Sequence, residues 1–185
     1  MKVLQLVSST ESRSDILASI AIDSNSGDST VEFVCLDQGT GDFAALLRGA
    51  GVPLHVLGAG NPLQLAIRLR KFLRRIDADA IQSHGHHASL TLTLATLGLR
   101  RRLAIMPVRH HNLFHHLINK RLRVLADRAI IRLADGVVAT STSVRDTLIA
   151  EGCPMNRLYR ATNGRHWDGL SIKREDVTQI RSTCQ

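Results

Sequence analysis

Short apolar runs alternate with longer amphipathic segments along most of the 185 residues, and this alternation restricts the fold more than any other feature. Strands that alternate with helices form βα units, which assemble around a parallel sheet. We predict seven strands, at residues 2–7, 30–36, 53–57, 78–83, 103–109, 135–140 and 157–161. Six helices are predicted between them, at residues 12–22, 42–49, 62–76, 86–98, 115–134 and 142–151. The sequence therefore predicts a three-layer α/β/α domain with a mostly parallel seven-stranded sheet.

Residues that favour helix ends support several of these boundaries. Asp42, and either Ser141 or Thr142, are expected to be N-cap residues, because a short side-chain oxygen can accept a bond from the first free N–H groups of a helix. Gly152, followed by Pro154, is expected to end the last helix.

The segment "GAGNPL" at 58–63 resembles part of the dinucleotide fingerprint G-x-G-x-x-G. Leu63 stands where the third glycine belongs, and the segment follows the third strand rather than the first. We therefore predict a turn and a helix that starts with proline. From residue 165 onward the alternation fails, so we predict a domain over 1–164 and a tail or the start of a linker over 165–185.

Composition indicates an ordinary globular protein, with 44% hydrophobic and 22% charged residues. Aromatic residues make up only 3%, so we expect an aliphatic core. No apolar run approaches the roughly 20 residues that span a bilayer, and the first strand leaves no room for a signal peptide, which favours a cytoplasmic location. The cysteines, Cys35, Cys153 and Cys184, are widely spaced, which disfavours a disulfide framework or a thiolate zinc site and fits a reducing compartment.

The net charge of +8 favours an anionic partner. The predicted helix at 62–76 is amphipathic. Its apolar face consists of Leu65, Leu69, Phe72, Leu73 and Ile76. Its basic face consists of Arg68, Arg70, Lys71, Arg74 and Arg75, with Ile67 among these charges. Arg100, Arg101 and Arg102 form a second basic group. The basic face is either solvated or contacts an anionic membrane or another polyanion. Nucleic acid is not expected, because the basic segments lack aromatic residues for stacking on bases.

Seven of the nine histidines lie between residues 84 and 116, in "SHGHH" and "RHHNLFHH". His84 and Gly85 leave predicted strand four, and His110 leaves predicted strand five. Segments at 141–142 and 163–164 leave strands six and seven. In parallel sheets ligands bind outside the carboxyl ends of the strands, so we expect these segments to converge on one site.

Three interpretations of the histidines remain at this point: a substrate cleft, a metal site, or solvated loop residues. Spacings such as H-x-H could supply two zinc ligands. These loops contain no Cys, Asp or Glu to complete a familiar ligand set, so we expect no metal. No P-loop or G-x-S-x-G nucleophile elbow occurs in the chain.

Three segments resemble the N-terminal, acceptor-side domain of family 4 retaining glycosyltransferases with the GT-B fold. They are "RLRKFLRRIDADAIQSHGHHASL", "IMPVRHHNLFHH" and "RLADGVVATSTSVRDTLIAEGCPMNRLYRATNG". The resemblance implies a Rossmann-like domain. It also implies transfer of a sugar from a nucleotide-sugar donor to an acceptor hydroxyl, with a glycan or lipid-linked acceptor and no further cofactor. Where members of the family carry a Gly-Gly loop after strand one, this chain has "SSTESRSD".

The resemblance also implies roles for individual residues. His110 would be the catalytic histidine that approaches the transferred sugar. The implied substrate-binding residues are Ser8, Ser9, His84, Gly85, His86, Arg109, His111 and Asn163. The donor diphosphate would be held by a second domain, so this chain is expected to fold alone but to be inactive alone. The alternative is a non-catalytic flavodoxin-like module that binds an anionic ligand or a membrane surface, and a histidine-rich metal-binding protein is a third interpretation.

Overall fold

The computed structural model describes residues 1–11, 15–23, 29–99, 103–111 and 121–161. Within these ranges the strands are β1 (Lys2–Val7), β2 (Thr30–Cys35), β3 (Leu54–Val56), β4 (Ala80–His84), β5 (Ala104–Arg109), β6 (Val137–Ala139) and β7 (Leu158–Arg160). The helices are α1 (Asp15–Asp23), α2 (Asp42–Gly49), α3 (Pro62–Leu73), α4 (His86–Thr96), α5 (Arg121–Leu133) and α6 (Thr142–Ala150). A short 3₁₀ helix, Met155–Arg157, precedes β7.

The seven strands form one sheet in the order β3-β2-β1-β4-β5-β6-β7, and every neighbouring pair is parallel. The chain adds strands in one direction from β1 to β3 and in the other direction from β4 to β7. Strand order therefore reverses between β1 and β4, which is where ligands bind in open α/β sheets. The predicted Rossmann-like α/β fold is confirmed.

The core is mainly aliphatic, as composition predicts, and it lies on both faces of the sheet. Helices α1 and α2 pack against β1 and β2, where Phe33 and Phe43 meet edge to face with ring centroids 5.4 Å apart. Helices α3 and α4 cover the opposite face over β1, β2, β4 and β5. Helices α5 and α6 pack against β6. Burial on both faces explains why the central strand β1 reads as a nearly continuous apolar run rather than as an alternating pattern.

The predicted proline start of α3 is confirmed, and "GAGNPL" is a helix cap. The Asn61 side chain accepts a bond from the Gln64 N–H at 2.9 Å, and the Gln64 side chain accepts from the Asn61 N–H. Pro62 occupies the first helical position, where its missing N–H costs no hydrogen bond. Ser141 is confirmed as the N-cap of α6, accepting from the Val144 N–H.

The prediction that Asp42 is an N-cap is wrong. Gly41 occupies that position, and Asp42 is the first residue of α2. The N–H groups of Asp42 and Phe43 donate instead to the backbone oxygens of Glu11 and Thr10, in the segment after β1. A Cβ on Gly41 would lie 2.2 Å from Glu11 Cα and from Thr10 O, so only glycine allows this approach.

The remaining elements match their predictions in number and order, and most of them differ from the predicted bounds by a few residues. Strands β3, β6 and β7 are three residues long, against predicted lengths of five, six and five. Helix α3 ends at Leu73, three residues before the predicted end, and Arg74 follows it as the C-cap. Residues 115–120 of one predicted helix and the tail at 165–185 lie outside the described residues. Among the described helices, none has the length and apolar character that crossing a membrane requires.

Candidate functional site

The site is built where β4 and β5 end side by side. The register pairs His84 of β4 with Val108 of β5, so Gly85 and Arg109–His110 leave the same edge. Gly85 adopts φ = 84°, a left-handed conformation that a non-glycine residue rarely adopts, and this turns the chain directly into α4. The two histidines at the strand ends are thereby brought together, as the sequence predicts.

A cavity of about 430 Å³ opens at this edge, between the ends of β4 and β5 and the helices α1, α4 and α5. Its polar lining includes His84, His86, Arg109, His110, His111 and Asp127. Most of the remaining wall is apolar, from residues such as Ile130, Ile131, Val137 and Leu148. An apolar cavity with a few convergent polar groups is typical of a small-molecule site.

His84 and His110 are hydrogen-bonded to each other, with 3.1 Å between His84 Nδ1 and His110 Nε2 and nearly stacked rings. On its other side, His84 Nε2 lies 2.6 Å from Gln5 Oε1. Burial, and then the charge that His110 would carry, lowers the pKa of His84 to about 3. Burial, and then the charge of His111, also lowers the pKa of His110. Both rings are therefore neutral near pH 7.

His86, the first residue of α4, pairs with Asp127 of α5. The distance from His86 Nδ1 to Asp127 Oδ1 is 2.6 Å, and both side chains are mostly buried. This contact joins the N-terminus of α4 to α5 and closes one side of the cavity. His87, the next residue, is exposed and does not line the cavity.

Arg109 forms a two-point ion pair with Glu151, the C-cap residue of α6. Its Nη2 donates to Glu151 Oε1 at 3.1 Å, its Nη1 donates to Oε2, and its Nε donates to the His111 carbonyl at 3.1 Å. Thr140 Oγ1 donates to the Arg109 carbonyl at 3.1 Å. Arg109 thus lines the cavity and also holds the segment around His110 in place.

Ser8 and Ser9 leave β1 at the same edge but do not line the cavity. The segment that contains them is held by Asp37, which accepts bonds from the Thr10 N–H and hydroxyl and from the Gly39 N–H. Burial raises the pKa of Asp37, but these donors outweigh it and hold the pKa below its usual value. Thr10 is fully buried, so the loop after β1 is anchored.

The predicted amphipathic character of α3 is confirmed, but two of its cations contact the protein's own backbone. Arg68 Nη1 donates to three carbonyls of residues 57–59 at 3.0 to 3.3 Å. Arg70 Nη1 donates to the carbonyls of Ala95 and Leu97 at the end of α4. Lys71, Arg74 and Arg75 are exposed, together with the apolar Leu63 and Ile67.

Several predicted residues lie outside the described part of the chain: Asn163, the basic group at 100–102 and the histidines at 115 and 116. Among the residues that are described, no three His, Cys, Asp or Glu side chains are grouped so as to hold a metal ion. Cys35 and Cys153 are free and buried, and burial, together with Asp37, raises the pKa of the Cys35 thiol to about 12.

Sequence reasoning missed Gln5, Asp127 and Glu151, each of which contacts a cavity-lining residue. Gln5 carries a signal that could have found it, because it is a polar residue within the apolar run "KVLQLV" of a central strand. A buried polar side chain requires a hydrogen-bond partner. Asp127 lies in the helix α5 and Glu151 is the C-cap residue of α6, and neither carries such a signal.

The fold is that of a Rossmann-like domain, with a cavity at the carboxyl ends of β4 and β5, next to the strand-order reversal. Residues 25–164 match the family model described as "Glycosyl transferase 4-like domain". The chain therefore belongs to this family, and the resemblance to family 4 glycosyltransferases is confirmed. No curated protein sequence gives a significant match to the chain.

Solved structures share the fold at low sequence identity. Anabaena HepE in complex with UDP and glucose is 21% identical with a TM-score of 0.73, covering 100% of this chain and 50% of that one. The lipopolysaccharide outer core galactosyltransferase WaaB is 13% identical with a TM-score of 0.66, covering 85% and 44%. The UDP-GlcNAc 2-epimerase from Neisseria meningitidis, bound to UDP-GlcNAc, is 13% identical with a TM-score of 0.67, covering 88% and 47%. The chain spans about half the length of these structures.

Proposed function

We propose that this chain is the acceptor-binding half of a retaining glycosyltransferase, which transfers a sugar from a nucleotide-sugar donor to an acceptor hydroxyl. The observation that carries the proposal is the convergence of His84, His86 and His110 on one cavity at the carboxyl ends of β4 and β5, next to the strand-order reversal. Membership of the glycosyltransferase 4-like family supports the reaction class. The HepE structures contain UDP with glucose, or UDP-glucose, which supports a donor of this chemical type.

Neutral imidazoles suit a sugar ligand. Each offers one N–H donor and one acceptor nitrogen, and a sugar hydroxyl can use either. A neutral His110 beside the transferred sugar would orient its hydroxyls and place a lone pair near the positive charge that develops at the anomeric carbon. These contributions are positioning and electrostatics, not covalent catalysis. Most of the cavity wall is apolar, and the lower local dielectric of such a wall strengthens the electrostatic contribution.

The fold alone does not select this reaction, because the UDP-GlcNAc 2-epimerase has a similar fold. Family membership favours transfer over epimerisation. We further propose that the acceptor is a glycan or lipid-linked molecule of cell-surface glycan or glycolipid synthesis, made at the cytoplasmic side of a membrane.

The test of the proposed reaction is His110→Ala in the full-length natural protein, assayed for sugar transfer from UDP-glucose and other UDP-sugars. Loss of one hydrogen bond made in the transition state costs about 2–4 kcal/mol, so we expect kcat to fall roughly 30-fold to 1000-fold. The melting temperature should change little, chelators should leave activity unchanged, and exposed His87→Ala is the matched control. Unchanged kcat in a folded His110→Ala protein, or loss of activity with a chelator, contradicts the proposal.

The exposed surface of α3 and its C-terminal turn supports association with an anionic membrane. Lys71, Arg74 and Arg75 lie beside the exposed side chains of Leu63 and Ile67. Each cation near an anionic surface contributes about 1 kcal/mol, and salt weakens the attraction. The chain should therefore pellet with anionic vesicles at low salt, and the triple change of these cations to Gln should abolish pelleting. Equal pelleting with neutral vesicles, or no pelleting with either, contradicts membrane association.

A further inference from the structure

Four side chains form a continuous hydrogen-bonded row across β1, β4 and the residue after β5. Gln5 pairs with Gln82 in the β1–β4 register, and Gln5 Nε2 donates to Gln82 Oε1 at 3.0 Å. Gln5 Oε1 lies 2.6 Å from His84 Nε2, and His84 Nδ1 lies 3.1 Å from His110 Nε2. Gln5 is almost fully buried, so its amide has no access to bulk water as an alternative partner.

The row has a direction, because an amide oxygen can only accept a hydrogen bond. Since Gln5 Oε1 accepts from His84, the proton of His84 must be on Nε2. Burial lowers the pKa of His84 to about 3, so the ring is neutral and carries no second proton. His84 Nδ1 is therefore a lone pair, and the only way to make the 3.1 Å contact is for His110 Nε2–H to donate to it.

The proton on His110 Nε2 determines the state of the other ring nitrogen, Nδ1. A neutral ring that keeps its proton on Nε2 has a bare lone pair on Nδ1. Within the described residues His110 makes no hydrogen bond other than that to His84, and the ring lines the cavity. Nδ1 of His110 is thus left to accept a hydrogen bond from a ligand.

We propose that Gln5 and His84 are positioning residues that hold His110 in the Nε2–H tautomer, so that its Nδ1 accepts a hydrogen bond from a hydroxyl group of the ligand. An accepting nitrogen repels an anion, so this position selects a hydroxyl and not a phosphate or carboxylate. The identity of that hydroxyl as a sugar hydroxyl rests on the proposed function. The tautomer itself follows from the residues of this chain.

The test is nitrogen-15 NMR of the histidine-labelled chain, in which the chemical shift of each ring nitrogen reports whether it carries a proton. We expect His84 and His110 both to be protonated on Nε2 and bare on Nδ1 at pH 7. A nitrogen–nitrogen coupling should join His110 Nε2 to His84 Nδ1. Exposed His87→Gln serves to assign the spectrum without disturbing the row.

Substitutions of Gln5 test whether this residue determines which ring nitrogen of His110 carries the proton. Gln5→Leu removes the acceptor, and we expect the His110 Nδ1 signal to move from the position of a bare nitrogen toward that of a tautomer mixture. Gln5→Met keeps the approximate length and volume of the side chain but lacks the amide oxygen, so it should move the signal in the same way, which a purely steric role of Gln5 would not do. Far-UV circular dichroism establishes that each variant is folded.

Two results overturn the proposal. One is a wild-type spectrum with the His110 proton on Nδ1, which does not depend on whether any variant folds. The other is a folded Gln5→Leu variant whose histidine spectrum is unchanged. Both leave the proposed reaction untouched, because they concern only the tautomer. Failure of the full-length protein to transfer a sugar would instead contradict the proposed function and leave the NMR result standing.

Discussion

His84 is expected to make the fold sensitive to mild acid. Its pKa is lowered from 6.5 to about 3 in the folded chain by burial and by His110. The unfolded chain takes up a proton on this residue below about pH 6.5, whereas the folded chain takes it up only near pH 3. Stability is therefore full above pH 6.5 and is lost as the pH falls through this window, at about 1.4 kcal/mol per pH unit. Between pH 7 and pH 5 the expected loss from His84 is about 2 kcal/mol.

The measurement is urea unfolding followed by far-UV circular dichroism, at pH 7 and pH 5, for the wild-type chain and for His84→Gln. Gln can still donate to Gln5 Oε1 but does not titrate, so the variant should lose about 2 kcal/mol less than the wild type between the two pH values. Exposed His87→Gln is the control and should lose as much as the wild type. An equal loss in the wild type and in His84→Gln would refute the assignment of acid sensitivity to His84.

Two further substitutions test contacts that support the site. Gly41→Ala should destabilise the fold by about 1–3 kcal/mol or more in urea unfolding, because the new Cβ would lie 2.2 Å from backbone atoms. Gly49→Ala, at the other end of α2, is the control: a Cβ there meets open space, so the change should be neutral or stabilising. Arg70→Gln should lower the free energy of unfolding by about 1 kcal/mol in the same assay, because it removes the donors to the last carbonyls of α4. Lys71→Gln, at an exposed position, is the control and should change this free energy by less than about 0.5 kcal/mol. A neutral Gly41→Ala or Arg70→Gln would show that these contacts do not stabilise the fold.

Most of the fold could be predicted from the sequence because it depends on local patterns. The strand β1 is a mainly apolar run with its predicted bounds, and the helix α2 also has its predicted bounds. The shorter β3, β6 and β7 could not be bounded in this way, because a strand extends only as far as its neighbours pair with it. The cap of α2 was mispredicted for a related reason: its first N–H groups bind carbonyls of a segment distant in the sequence.

The position of the site could be predicted, but not its hydrogen-bond partners. That His84 and His110 meet follows from parallel strands, since the carboxyl ends of β4 and β5 share one edge. That the proton of His84 lies on Nε2 depends on Gln5, which is 79 residues away. That Arg109 is paired depends on Glu151, which is 42 residues away. Pairings of this range depend on the register of the sheet and the placement of helices, which no local spacing determines.

The net charge of +8 overstates the number of cations that can attract an anionic partner, because several of them form contacts within the protein. Arg68 and Arg70 donate to backbone carbonyls, and Arg109 is paired with Glu151, so each has an internal role. An arginine that moved to an anionic surface would leave those carbonyls without a donor and would lose about 1 kcal/mol for each hydrogen bond. Of the five cations assigned to the surface of α3 from the sequence, three remain to attract a membrane. At about 1 kcal/mol each, the electrostatic attraction is about 3 kcal/mol instead of about 5, which makes any such association reversible and strongly dependent on salt.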